Sequence, residues 1–221
     1  MLAQWRFERG LRSLANSNHD ILSSYALADW PERSMRADQA PFLALDFELD
    51  GLRKDAHLLQ AGWVPFEGHT IGLTNAHSLD ILSDADLDPQ AVTIHGIGEQ
   101  RALRGRPIHE VSDKLLVALA GRILVAHGAW IEQDALCRTV KSLHGAKLPV
   151  RCICTLTLER HIHPNLVGTE DYRLGPCRQR YGLPDYSAHD ALTDAIAAAE
   201  LFQAQLTRLP PDTTLAQLEH S

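Results

Sequence analysis

Apolar positions along the chain recur with a period near two in some segments and between three and four in others. Phe42-Leu43-Ala44-Leu45-Asp46-Phe47-Glu48-Leu49 is a strand-like run interrupted only by Asp46 and Glu48. Successive side chains on a strand alternate faces, so these two carboxylates point the same way. After the turn Asp50-Gly51-Leu52, His57–Phe66 reads as a second strand, Glu67-Gly68-His69 as a tight hairpin turn, and Thr70–Ala76 as a third strand. The three make an antiparallel meander with the acidic strand first.

Helical spacing takes over further on. Val111, Leu115, Leu116 and Leu119 repeat across Glu110–Ala120, and Gly121 stands where a terminating glycine belongs. Ile123–Ala126 is a short buried strand and Trp130–Leu143 a second helix. Val150–Thr155 is another strand, entering a short helix up to Arg160. Asp84–Pro89 reads as loop leading into Val92–Gly98, and His161–Gly168 as an irregular loop. Helices over Tyr172–Tyr181 and His189–Leu206 are joined by Gly182-Leu183-Pro184. This order describes one α/β domain over residues 41–209, with a mixed sheet built from the meander and the α/β crossovers after it.

Residues 1–40 form a helical leader, with Phe7, Leu11 and Leu14 at helical spacing and a second short helix over Ile21–Trp30. The pair either packs on the main domain, which would cover Trp5, Phe7 and Trp30, or serves as an arm that docks a polymerase or another protein. Residues 210–221 are expected to be a frayed tail after Pro210-Pro211.

Composition narrows the functional classes. Of 221 residues, 45% are apolar and 22% charged, as in a soluble globular protein, and the net charge of −7 opposes coating of duplex DNA through a broad positive field. A nucleic acid end could still be held where cations supply the positive charge. Cys137, Cys152, Cys154 and Cys177 lack C-x-x-C or zinc-finger spacing, which implies reduced thiols in a cytoplasmic protein. No segment has the apolar length of a signal-peptide core or a membrane span, so no membrane partner is expected.

Two acidic groups side by side on a buried strand repel each other and resist desolvation unless a cation sits between them; a strand face left wet is the alternative. Two further segments bear on this. In Leu124–Asp134 a strand runs through His127-Gly128-Ala129 into a helix with Glu132 near its start. In Ser187–Ala195, five helical steps of ~100° would put His189 and Asp194 on different faces. To act together, His189 must precede the helix, with Asp190 as its N-cap and Asp194 one turn in.

These segments resemble the DEDDh 3′–5′ exonucleases of the DNA polymerase III epsilon, or proofreading, type, which have a ribonuclease H-like fold. The first family motif, D-x-E-x-x-G, is matched by Asp46, Glu48 and Gly51. The second is matched by His127, Gly128 and Glu132, with Gly for the usual Asn and Glu for the usual Asp. The third is matched by His189 and Asp194, and His95-Gly96-Ile97 is similar to the family's loop at the substrate entrance. The resemblance, which spans residues 41–206, implies a pair of divalent ions, Mg²⁺ or Mn²⁺, held by Asp46, Glu48, Glu132 and Asp194. It implies that His189 accepts a proton from the attacking water, a role suited to imidazole. The implied substrate is the 3′ end of single-stranded DNA or RNA, released as nucleoside 5′-monophosphates. Phe47, Leu49, Gly51, Leu52, His95 and His127 would flank it, with an apolar side chain wedged against the terminal base. Asp134 is the rival second-motif acid but lies ~200° from Glu132 around the helix.

Other polar residues carry less. His161 and His163 read as solvated loop histidines without a third ligand, and Trp63 and Phe66 as core. Arg101, Arg104 and Arg106 either contact incoming phosphates or form a solvated helix start. Two rival functions share the same residues: a nuclease-like partner subunit weakened at Glu132 and Gly128, and an exonuclease specialised for short oligoribonucleotides.

Overall fold

A computed structural model describes residues 2–51 and 56–219. The leader forms α1 (Leu2–Ala15) and α2 (Asp20–Ala26). The meander follows as β1 (Pro41–Leu49), β2 (Leu58–Glu67), β3 (Thr70–Ile71) and β4 (His77–Asp80). Next come α3 (Pro89–His95), α4 (Glu99–Ala102), α5 (Ile108–Leu119), β5 (Ile123–Ala126), α6 (Trp130–His144) and β6 (Cys152–Cys154). The chain ends with α7 (Thr155–Ile162), α8 (Leu174–Arg180), α9 (Ala191–Leu206) and α10 (Leu215–Leu218). The sheet runs β3-β2-β1-β5-β6, with β4 also paired to β2. β1 and β2 are antiparallel, while β5 and β6 add in parallel, giving the mixed sheet.

The expected third strand, Thr70–Ala76, is only the two residues of β3; a 3₁₀ turn at Leu73–Asn75 replaces the rest, and β4 begins beyond it. β3 pairs with Phe66 and Glu67, and β4 with Gln60 to Trp63, leaving Val64 and Pro65 in the gap. Proline has no N–H to give a neighbouring strand, so a continuous partner would lose a ladder bond there. Residues 89–95, expected to be partly loop, form α3: the Asp88 side chain accepts from the Gln90 N–H (2.8 Å), Pro89 occupies the first turn, and Gly96 closes the helix.

The alternation of β1 divides the core. Leu43, Leu45 and Phe47 pack with Leu115, Leu116 and Leu136 of α5 and α6 on one face. Phe42 and Ala44 pack with Ala195, Ala199 and Phe202 of α9 on the other. Asp46 and Glu48 continue the second face past the end of its apolar row, toward the first turn of α9. Burial of Phe42 and Phe202, each fully inaccessible, contributes roughly 1.5–3 kcal/mol per side chain.

The leader is bound into this core rather than free of it. Leu14, Leu22 and Tyr25 are buried in the α5/α6 cluster, and the Tyr25 hydroxyl donates to the Pro149 carbonyl (2.8 Å). The tail differs from the frayed expectation too. Thr214 and Gln217 form a capping box, Leu215 and Leu218 are buried, and Glu219 accepts from Arg33 and Arg151.

Candidate active site

β1 delivers the acidic pair through its period of two, and a bulge after Glu48 ends its regular pairing. The approach of α9 is set from β2. Gly62 lies opposite Asp46, and a Cβ on it would overlap the backbone of Ala191 and Leu192. Gln60, opposite Glu48, accepts the Ala191 N–H through Oε1 (3.0 Å) and donates through Nε2 to Asp80 (3.0 Å). A bare glycine and a buried amide thus seat the helix N-terminus directly over the carboxylates.

Asp190 is the N-cap of α9, its Oδ1 accepting from the Thr193 N–H (3.1 Å). His189 precedes the helix with φ 68°, the one positive φ outside glycine among the described residues. This left-handed backbone costs on the order of 1 kcal/mol and aims the His189 N–H at Asp194 Oδ2 (2.7 Å). Its imidazole is exposed at the rim of the cleft.

Asp46, Glu48 and Asp194 each offer an oxygen, all within 4.8 Å of one another, the one such cluster among the described residues. Glu132, on the first turn of α6, is 3% exposed and its Oε2 has no hydrogen-bond partner. It stands outside that trio but close enough to repel Asp46. Burial, then Glu132, Asp194 and Glu48, hold the Asp46 carboxyl well above its usual range. Burial and the charges of Asp194 and Asp190 push Glu48 up to about 7, and burial above all pushes Glu132 up to about 8. Asp194 is raised by burial against the lowering effect of its hydrogen bonds. Asp134 points away, paired with Arg138 in solvent (2.8 Å).

The four carboxyl groups form a hard-oxygen donor set, and the Glu132 Oε2 has no hydrogen-bond partner among the described residues. That chemistry fits hard divalent cations. Asp46, Glu48 and Asp194 could hold one such ion.

The cleft above has a volume of about 750 Å³, and Phe47, Leu49, Gly51, His95 and His127 all line it. Leu52 lies outside the described residues. The His127 Nε2–H donates to the Tyr172 carbonyl (2.8 Å), leaving Nδ1 to accept from Thr155 (2.9 Å). Burial drives its pKa down to about 4, so the ring is neutral. His95 Nδ1 accepts from the Ile97 N–H (3.1 Å), and its buried Nε2 has no partner. Arg101 is tied to Asp80 by two bonds of 2.8 and 2.7 Å, Trp63 and Phe66 are core, and Arg106 faces Glu110.

One contact at the acidic cluster has no sequence signal. The Tyr186 hydroxyl donates to Asp194 Oδ1 (2.9 Å) from an irregular segment between α8 and α9. Nothing in the local pattern places that residue at the site.

Residues 43–202 match the model of the RNase_T family, described as exonuclease. The chain belongs to this exonuclease family. Among curated relatives, DNA polymerase III PolC-type of Thermotoga maritima is 29% identical over 164 residues, covering 74% of this chain and 12% of that much longer protein. DNA polymerase III subunit epsilon of Treponema pallidum is 25% identical over 170 residues, covering 76% of this chain and 78% of the subunit. Among solved structures, Exonuclease X in complex with 5′ overhanging duplex DNA superposes with a TM-score of 0.65 at 22% identity, over 81% of this chain and 98% of that one. The nuclease domain of 3′hExo, a DEDDh family member bound to rAMP, gives 0.64 at 16% identity over 78% and 94%. The fold is therefore the ribonuclease H-like fold of these exonucleases.

Proposed function

We propose that this exonuclease domain hydrolyses the terminal phosphodiester at the 3′ end of single-stranded nucleic acid, releasing nucleoside 5′-monophosphates. The observation that carries the reading is the trio Asp46, Glu48 and Asp194, with oxygens within 4.8 Å, beneath a cleft rimmed by His189. Asp46, Glu48 and Asp194 would hold one divalent ion, Mg²⁺ or Mn²⁺, and Glu132 would help to hold a second. When bound, such ions neutralise the phosphate and favour ionisation of water.

The chain's own residues do the rest. His189, held at the rim by its strained backbone, accepts on its imidazole a proton from the water that attacks phosphorus. The bond from phosphorus to the 3′ oxygen of the preceding nucleotide breaks, and that oxygen takes a proton from solvent to become the new 3′ hydroxyl. Leu49 presents apolar surface to the terminal base, with Phe47 packed in the core beneath the cleft wall, and the unpartnered His95 Nε2–H supplies a donor for substrate oxygens. His127 supports the wall between Thr155 and Tyr172. The relatives named for DNA polymerase III support a polymerase as partner.

The test is digestion of 5′-labelled single-stranded DNA and RNA with Mg²⁺ or Mn²⁺. A ladder shortening from the 3′ end, abolished by EDTA and by Asp194→Asn, is expected. Absence of metal-dependent shortening of either polymer by the folded protein overturns the reading in favour of a binding subunit.

A further inference from the structure

Asp194 is gripped through both oxygens by one irregular segment. Oδ2 accepts the His189 N–H (2.7 Å) and Oδ1 accepts the Tyr186 hydroxyl (2.9 Å). The first bond is local to the helix start. The second comes from eight residues upstream and requires the Tyr186 ring to be held in place.

Arg178 on α8 holds it. The guanidinium is 3% exposed and lies 5.0 Å from the Tyr186 ring centroid. Nη1 donates to the Ala197 carbonyl on α9 (2.8 Å), Nη2 donates to the Pro184 carbonyl (3.1 Å), and Glu200 accepts from Nη1 (2.7 Å). The cation therefore clamps α8, α9 and the start of the 184–189 segment together, and its face carries the aromatic ring. Ring placement needs no hydroxyl; the hydroxyl is spent on Asp194.

We infer that Tyr186 is a positioning residue for metal binding, orienting the Asp194 carboxylate toward Asp46 and Glu48. The inference rests on the two-metal reading above and deepens it. Hydrogen-bond partners of a metal-binding carboxylate fix its rotamer, and their removal typically weakens metal affinity by ~10–100-fold. Because Asp194 keeps the His189 bond, the lower end of that range applies. Arg178 acts through Tyr186 and carries the packing of α8 on α9, so its replacement would mix both effects.

The experiment is calorimetric titration of Mn²⁺ into the full chain without nucleic acid, for the parent, Tyr186→Phe and Asp194→Asn. Thermal midpoints are measured alongside in EDTA. Tyr186→Phe keeps the ring on Arg178 and loses only the donor. Its Mn²⁺ affinity should fall ~10-fold while its midpoint in EDTA stays within about 2 °C of the parent's. Affinity equal to or tighter than the parent's overturns the inference and leaves the two-metal reading standing. A midpoint that drops together with the affinity assigns Tyr186 a structural role and likewise overturns it. A parent that takes up no Mn²⁺, or an Asp194→Asn that binds as tightly as the parent, overturns the two-metal reading first and the inference with it.

Discussion

Gly62 on β2 and Leu192 in the first turn of α9 are in backbone contact: a single methyl on Gly62 would overlap the Leu192 nitrogen. This contact sets the height of α9 above β1, and with it the distance from Asp194 to Asp46 and Glu48. Gly62→Ala should lift the helix start. Stability should fall by ~1–3 kcal/mol, as for other overpacked sites, and a displacement near 1 Å at the carboxylates should lower the rate by ~100-fold. Urea denaturation and steady-state kinetics on the same preparation check both.

Glu132→Gln separates stability from activity. It removes one charge from a buried, mutually repelling group, so the protein in EDTA at pH 8.5 should become more stable by roughly 1–3 kcal/mol, while nuclease activity drops by ~100-fold or more. Thermal melts in EDTA and a single-turnover digestion give the two readouts. A destabilised variant would mean that Glu132 is held by favourable contacts rather than by the fold around it.

The carboxylates give the metal-free protein a pH dependence of defined sign. Their folded-state pKa values, about 7 for Glu48 and about 8 for Glu132, lie above the ordinary 4.5. The folded state therefore binds more protons than the unfolded state in that window, and stability falls as pH rises through it. The loss between pH 6.5 and 8.5 should be on the order of 2 kcal/mol in EDTA and should shrink when Mn²⁺ is added. Melts at fixed ionic strength measure it. A metal-induced rise in midpoint that is larger at pH 6 than at pH 8 contradicts the assignment.

His127 contributes the opposite slope. Its pKa is depressed from 6.5 to about 4, so the unfolded state binds the extra proton, and stability falls as pH drops from about 6.5 toward 4. Replacing the ring by His127→Asn should cost about 1–3 kcal/mol near neutral pH through the lost bonds to Thr155 and Tyr172. The same variant should flatten the acid side of the stability profile, which chemical denaturation at pH 5 and pH 7 measures.

Legibility differed from element to element. The strand carrying Asp46 was readable as an apolar run broken only by its two acids, and the helix carrying Glu132 by its helical spacing. The capped start of α3 at Asp88-Pro89 had a signal that the loop-like composition around it obscured, and Gly96 marked its end. The break between β3 and β4 depended on Pro65, which belongs to the neighbouring strand, and strand periodicity alone does not report a missing donor across the sheet. The tail is ordered through Leu215, Leu218 and Glu219, whose partners lie up to 186 residues away.

From the sequence by itself came the shared face of Asp46 and Glu48, the placement of His189 before a helix capped by Asp190, and the opposed directions of Glu132 and Asp134 on their helix. Each follows from backbone periodicity, which depends only on neighbours along the chain. The tertiary structure decided that Gly62 admits α9, that Gln60 anchors its first amide, and that Tyr186 reaches Asp194 from a segment without periodicity. It also decided the perturbed acidity of the cluster. Close approach, desolvation and cross-chain hydrogen bonds depend on distances through space, and these exist only after both faces of the sheet have been packed.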